Sequence, residues 1–159
     1  RTAANTPGSG LNFAITNNTM VEGLDFGIGA GEIDWDRGSA NTTSLGNTKS
    51  VSGYANYSFG PVTVGYQTSE TDGTTASNTD ESTTIGISYS VSDEFSVSYN
   101  THDFDAGDYT SDEEYTGISA SYTMGGITIA GHVNELENAG GSATAADVEG
   151  YEIYLGFAF

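Results

Sequence analysis

Apolar and polar residues alternate at period two along most of this chain, which predicts strands rather than helices. The pattern is clearest at the end: Tyr151, Ile153, Leu155, Phe157 and Phe159 share one face, while Gly150, Glu152, Tyr154, Gly156 and Ala158 share the other. Three internal stretches repeat one design. Tyr57-Ser58-Phe59 leads through Gly60-Pro61 into Val62-Thr63-Val64. Tyr89-Ser90-Val91 leads through Ser92-Asp93-Glu94 into Phe95-Ser96-Val97, and Tyr122-Thr123-Met124 through Gly125-Gly126 into Ile127-Thr128-Ile129. Each reads as a tight β-hairpin with one continuous apolar face. The hairpins recur every ~33 residues, which is two strands plus a longer connection rather than a solenoid repeat.

The predicted strands are 10–17, 24–34, 49–59, 62–70, 82–91, 95–104, 114–124, 127–136 and 148–159, with residues 1–9 as a loop before them. Polar stretches rich in Gly and Asp separate the hairpins at 35–48, 71–81, 105–113 and 137–147. Short turns therefore alternate with long loops.

Composition narrows the setting. The 159 residues carry 22 acids against 3 bases, a net charge of −19. A nucleic-acid partner is disfavoured, because phosphate binding needs a basic surface. The chain has no cysteine, which excludes a disulfide scaffold and leaves the redox compartment open. Hydrophobic content is 36%, low for a core, yet 11% of residues are aromatic, more than a disordered acidic chain would carry. No stretch approaches the ~20 apolar residues of a membrane helix. The chain shows neither a signal peptide nor an initiating Met, as expected of a mature or truncated chain.

Most predicted strands come close to the ~9–11 residues that cross a bilayer at a tilt. Tyr57, Phe59, Tyr89, Phe95, Tyr122, Phe157 and Phe159 sit on the apolar face near a short turn or the last residue, as an interfacial girdle would. A sparser set, Tyr66, Tyr99 and Tyr151, lies nearer the long loops. A soluble sandwich, the alternative, gives no reason for aromatics to gather at one end of every strand. The pattern favours an all-β fold, an antiparallel transmembrane β-barrel.

Barrel width follows from the other face. It reads Asp25, Gly27, Gly29, Gly31 in one strand, Thr63, Gly65, Gln67, Ser69 in another, and Ser96, Ser98, Asn100, His102 in a third. An eight-stranded barrel beginning at Leu24 would need its interior filled by side chains. Side chains this small suit a wide wall wetted by channel water. Leu11, Phe13 and Ile15 also alternate like a strand paired ahead of Leu24. A wide barrel is favoured over the eight-stranded alternative.

The hairpins Tyr-Ser-Phe-Gly-Pro-Val-Thr-Val-Gly-Tyr and Tyr-Thr-Met-Gly-Gly-Ile-Thr-Ile-Ala-Gly, and the tail Tyr-Leu-Gly-Phe-Ala-Phe, resemble general diffusion porins of alphaproteobacteria, the Rhodobacter type. The resemblance covers the chain from about Gly10 onward and is one of style and spacing. It implies the last nine of about 16 strands of a porin barrel, with the constriction loop in an N-terminal half outside this chain. It also implies a homotrimer of water-filled pores in the Gram-negative outer membrane, in contact with lipid and lipopolysaccharide, passing small hydrophilic solutes and ions without turnover. Asp25, Tyr54, Gln67, Asn100, His102, His132 and Glu152 are then candidates for the pore lining.

Most acids fall in or beside the long loops. A solvated rim is the plain reading. The sharper ones are a pore mouth that concentrates cations, and Ca²⁺ or Mg²⁺ held weakly by Asp105, Asp108, Asp112, Glu113 and Glu114, since carboxylates suit hard cations. The spacing of Asp103, Asp105 and Asp108 is not that of an EF-hand, and no other cofactor is expected. An outer-membrane hydrolase needs a base beside a nucleophile. Only His102 and His132 are available, and no Gly-x-Ser-x-Gly, Walker loop or Cys/His cluster is present. An adhesin or filler barrel is the structural rival to a conducting pore.

Overall fold

A computed structural model of the protein describes residues 6–36, 47–73 and 79–158. These form one antiparallel sheet in strict sequence order: β1 (Thr6–Asn17), β2 (Leu24–Asp36), β3 (Asn47–Phe59), β4 (Val62–Asp72), β5 (Thr79–Ser90), β6 (Phe95–Ala106), β7 (Glu113–Met124), β8 (Ile127–Glu137) and β9 (Val148–Phe157). Each strand pairs with its neighbours in the chain, and β1 and β9 are the sheet edges. β2 has β1 on one side and β3 on the other, while β9 pairs with β8. An eight-stranded barrel closed by β2 against β9 is therefore not the arrangement here. The sheet is an open part of a barrel wall.

Glycine sets the short turns. Gly60 (φ 58°) and Gly125 (φ 60°) each open a two-residue hairpin connection in the left-handed region that such turns require. In the connection from β5 to β6, Ser92 Oγ instead accepts from the backbone N–H of Glu94 and Phe95, both at 3.2 Å. The turn ends are stitched laterally as well. The Ser58 amide donates to Gly23 O, Ser90 to Pro61 O and Ala158 to Gly126 O, each at 2.8 Å.

All nine predicted strands are present, and all but β9 run further at the loop end than the apolar pattern does. β1 starts at Thr6 rather than Gly10, inside the segment expected to be loop, and β6 continues through Asp105 to Ala106. The reason is physical. Alternation of hydrophobicity stops where the apolar surroundings stop, whereas the hydrogen-bond ladder continues into water. Of the expected loops, 37–46 and 74–78 lie outside the described residues, as does Phe159.

The register separates two faces. Rows such as Phe59–Val62–Tyr89–Val97 and Tyr57–Val64–Ile87–Tyr99 run across the sheet on the apolar face. Val97–Ala120–Gly131–Ile153 continues the first of these rows across β6 to β9, and Phe95–Tyr122–Ile129–Leu155 runs beside it, nearer the short turns. Among the described residues nothing covers this face: Ile153 is 77% exposed, Leu11 77% and Ile118 62%. Among the described residues Ala106, at 9%, is the one hydrophobic residue that counts as buried. A sheet of this size with a continuous apolar exterior and, among the described residues, no core is suited to an apolar environment rather than to water on that face. Among the described residues no helix is long and apolar enough to cross a membrane.

Candidate functional site on the polar face

The seven pore-lining candidates, Asp25, Tyr54, Gln67, Asn100, His102, His132 and Glu152, all lie on the polar face, in successive rows. One row runs Tyr54–Gln67–Thr84–His102–Tyr115–Leu136 across β3 to β8. Tyr54 leans over Gly27, where an added Cβ would come within 2.6 Å of its ring, and its hydroxyl donates to Asp25 Oδ1 at 3.1 Å. His102 Nδ1 is 2.8 Å from Thr84 Oγ1, and its ring is tilted against Tyr115 at 5.6 Å. One row further toward the short turns lie Asn100 and Asn134, on either side of Gly117. Below them the row is Ser88–Ser98–Ser119–His132–Glu152. There His132 Nε2 lies 3.9 Å from Glu152 Oε2, an ion pair when the imidazole is protonated.

This arrangement lines a wall. It does not converge on a reacting atom. Asp103, the acid next to His102, is on the opposite face by strand alternation, and the Ser98 hydroxyl is bonded to that of Ser119 at 2.7 Å. The residues near His102 in sequence therefore do not assemble a nucleophile, base and acid on one side.

The proposed cation ligands are also dispersed. Asp105 and Glu114 are on the apolar side of the sheet, opposite Glu81 and Asp103. Glu113 is on the polar side and accepts from the Tyr115 hydroxyl at 3.3 Å. Asp108 and Asp112 lie between β6 and β7. Among the described residues no three His, Cys, Asp or Glu side chains are placed to hold one metal ion. Strand alternation splits neighbouring carboxylates between faces.

The same alternation corrects the expected acidic mouth. Much of the acid excess forms a belt on the apolar side, above the apolar band: Glu70–Glu81–Asp105, Asp103–Glu114–Glu137 and Glu135–Glu149 are direct cross-strand neighbours. On the polar side stand Asp25, Asp80, Glu113 and Glu152. The polar face is also less uniformly small than expected. Phe104, Tyr115 and Leu136 form a bulky patch at its loop end, with the Phe104 ring edge-on to Tyr109 at 5.9 Å. Extending the period-two count past Gly117 and Asn134 would have found Tyr115 and Leu136.

The comparisons with known proteins agree with this geometry. The solved structures resembling the chain include the anion-selective porin of Comamonas acidovorans, with TM-score 0.74 and 14% identity over 97% of this chain and 50% of that one. They also include a porin refined at 1.8 Å resolution, with TM-score 0.64 and 20% identity over 91% of this chain and 50% of that one. The chain thus spans about half the length of these porins, and at such identities the likeness shows the fold. Among curated proteins none matches the sequence. The family profile of Gram-negative porins matches residues 2–159, so the chain belongs to that family.

Proposed function

We propose that this chain forms part of the wall of a water-filled outer-membrane channel, through which small hydrophilic solutes and ions diffuse passively. The observation that supports this most directly is the two-sided sheet without a core. One face is suited to lipid, and the other is lined by Ser, Thr, Gly, Asn and scattered charges suited to water. The wall positions groups but does no covalent chemistry. The working form is a homotrimer embedded in lipid and lipopolysaccharide.

Cation preference belongs to the same proposal. On the polar face stand Asp25, Asp80, Glu113 and Glu152, and Lys49, the described lysine, is on the apolar side between Glu32 and Asp72. An excess of one sign along a narrow aqueous path raises the local concentration of counter-ions. The Comamonas porin is named for the opposite preference. With so little sequence shared, each wall takes its selectivity from its own charges.

Planar-bilayer recording tests both parts. The protein should give ohmic steps, with a zero-current potential in a KCl gradient that favours K⁺. Asp25→Asn with Glu152→Gln should weaken the preference, whereas Glu81→Gln with Glu114→Gln, on the outer side, should change it little. Folded protein without conductance would leave the adhesin or filler reading, and a wild-type pore selecting Cl⁻ would overturn the preference.

A further inference from the structure

One row across the polar face has an unusual composition. From β3 to β9 it reads Asn56–Gly65–Gly86–Asn100–Gly117–Asn134–Gly150, amides and glycines alone. The amides lie over the glycines. A Cβ on Gly117 would sit 2.9 Å from Oδ1 of both Asn100 and Asn134, and one on Gly65 would sit 2.6 Å from Oδ1 of Asn56. Asn100 and Asn134 are exposed, and among the described residues neither side chain has a hydrogen-bond partner. Toward the loops the next row places His102 above Asn100, Tyr115 above Gly117 and Leu136 above Asn134, with the rings of His102 and Tyr115 tilted against each other. The result is an open groove of about 760 Å³ lined by Asn100, His102, Phe104, Tyr115, Asn134 and Leu136. This lies within the ~300–1,000 Å³ typical of ligand pockets.

We infer that this groove is a binding subsite for neutral saccharides on the channel wall. The inference rests on the channel reading above. Each amide offers a donor pair and an acceptor without charge, matched to the paired hydroxyls of a sugar. The aromatic edge above supplies apolar surface for the sugar's C–H face. Glu113 stands on the same face with no lysine or arginine beside it among the described residues, so anionic solutes are disfavoured at this wall. Gly117 is structural to the subsite: it is buried beneath the two amides and lets them lie against the wall side by side.

The test uses channels in planar bilayers, in KCl, titrated with sucrose. Saturable reduction of current in the wild type is expected. Asn100→Ala and Asn134→Ala should each raise the half-blocking concentration roughly three- to tenfold, as loss of a hydrogen bond does. Block is read as the fraction of each variant's own current in KCl alone. Gly117→Ala should act in the same direction by displacing both amides, and Ser88→Ala, on the same face outside the groove, should change nothing. Sucrose block that is absent, non-saturating or equal in wild type and variants would overturn the subsite while leaving the channel intact. No KCl conductance in folded wild type would overturn the channel and the subsite together.

Discussion

The Tyr109 ring lies against Gly141 so closely that no side chain can stand at residue 141. A Cβ there would overlap the ring, and the backbone has φ 69°. The contact joins the β6–β7 and β8–β9 connections, and Thr110 reinforces it through N–H and hydroxyl bonds to Gly141 O at 3.2 and 2.9 Å. Gly141→Ala should therefore cost about 1–2 kcal/mol from the left-handed backbone alone, and more from the lost stacking. Hydrogen exchange should rise across 107–112 and 138–147 while the strands stay protected. Unchanged exchange in both connections would contradict the coupling.

The same tyrosine carries a pH dependence. Loss of water around its ring raises the Tyr109 pKa above the ordinary 10.0, and the carboxylates of Glu113, Asp108 and Asp80 add to the rise. A raised folded-state pKa means that the stabilisation is complete below the ordinary value and is lost as pH climbs through the raised one. The ultraviolet titration difference between wild type and Tyr109→Phe should show one tyrosine ionising late. Asp108→Asn should bring that ionisation to lower pH.

The lipid-facing assignment makes a sharp contrast between neighbours. Ile87 and Ser88 are adjacent in β5 but face opposite ways, as do Ile129 and Thr128 in β8. Ile87→Arg or Ile129→Arg should destabilise by roughly 2–4 kcal/mol if the site is near the bilayer midplane. Ser88→Arg meets water and should cost far less. Denaturant unfolding from lipid vesicles reads the difference, and equal damage at both positions would contradict the two-sided wall.

Glu81 has Glu70 across one pair and Asp105 across the other. Like charges placed directly opposite on a sheet repel, by roughly 0.2–1 kcal/mol per pair. Glu81→Gln should raise thermal stability at low ionic strength. The gain should shrink in concentrated salt, where the screening length falls to about 3 Å. A loss of stability on this change would mean that the belt is already neutralised by a bound cation.

Strand number, order and facing were legible because one signal, period two, carries all of them. Gly60 and Gly125 could be placed in turns for the same local reason. What period two could not report was which face a loop-end carboxylate takes once the apolar marker has vanished. Asp105 and Glu114 looked like members of one acidic loop, yet both stand on the strand face that turns toward lipid lower down. Nor does sequence show the lateral rows. Asn100 and Asn134 are 34 positions apart, and they flank one glycine only because β7 runs between β6 and β8 in this register. Local pattern sets the strands, and neighbours across the ladder set the chemistry.

The two free edges carry a counting rule. In an antiparallel sheet taken in chain order, odd-numbered strands share a direction, so β1 and β9 point the same way. Zipping them to each other, within one copy or head to tail between copies, would leave a parallel seam in a wall that is antiparallel everywhere else. A seamless ring containing this sheet must interpose an odd number of strands. Until those strands are in place, the unpaired N–H and C=O groups along both rims would meet hydrocarbon, at several kcal/mol for each group left unsatisfied. A membrane-embedded form of this sheet therefore requires both rims to be paired.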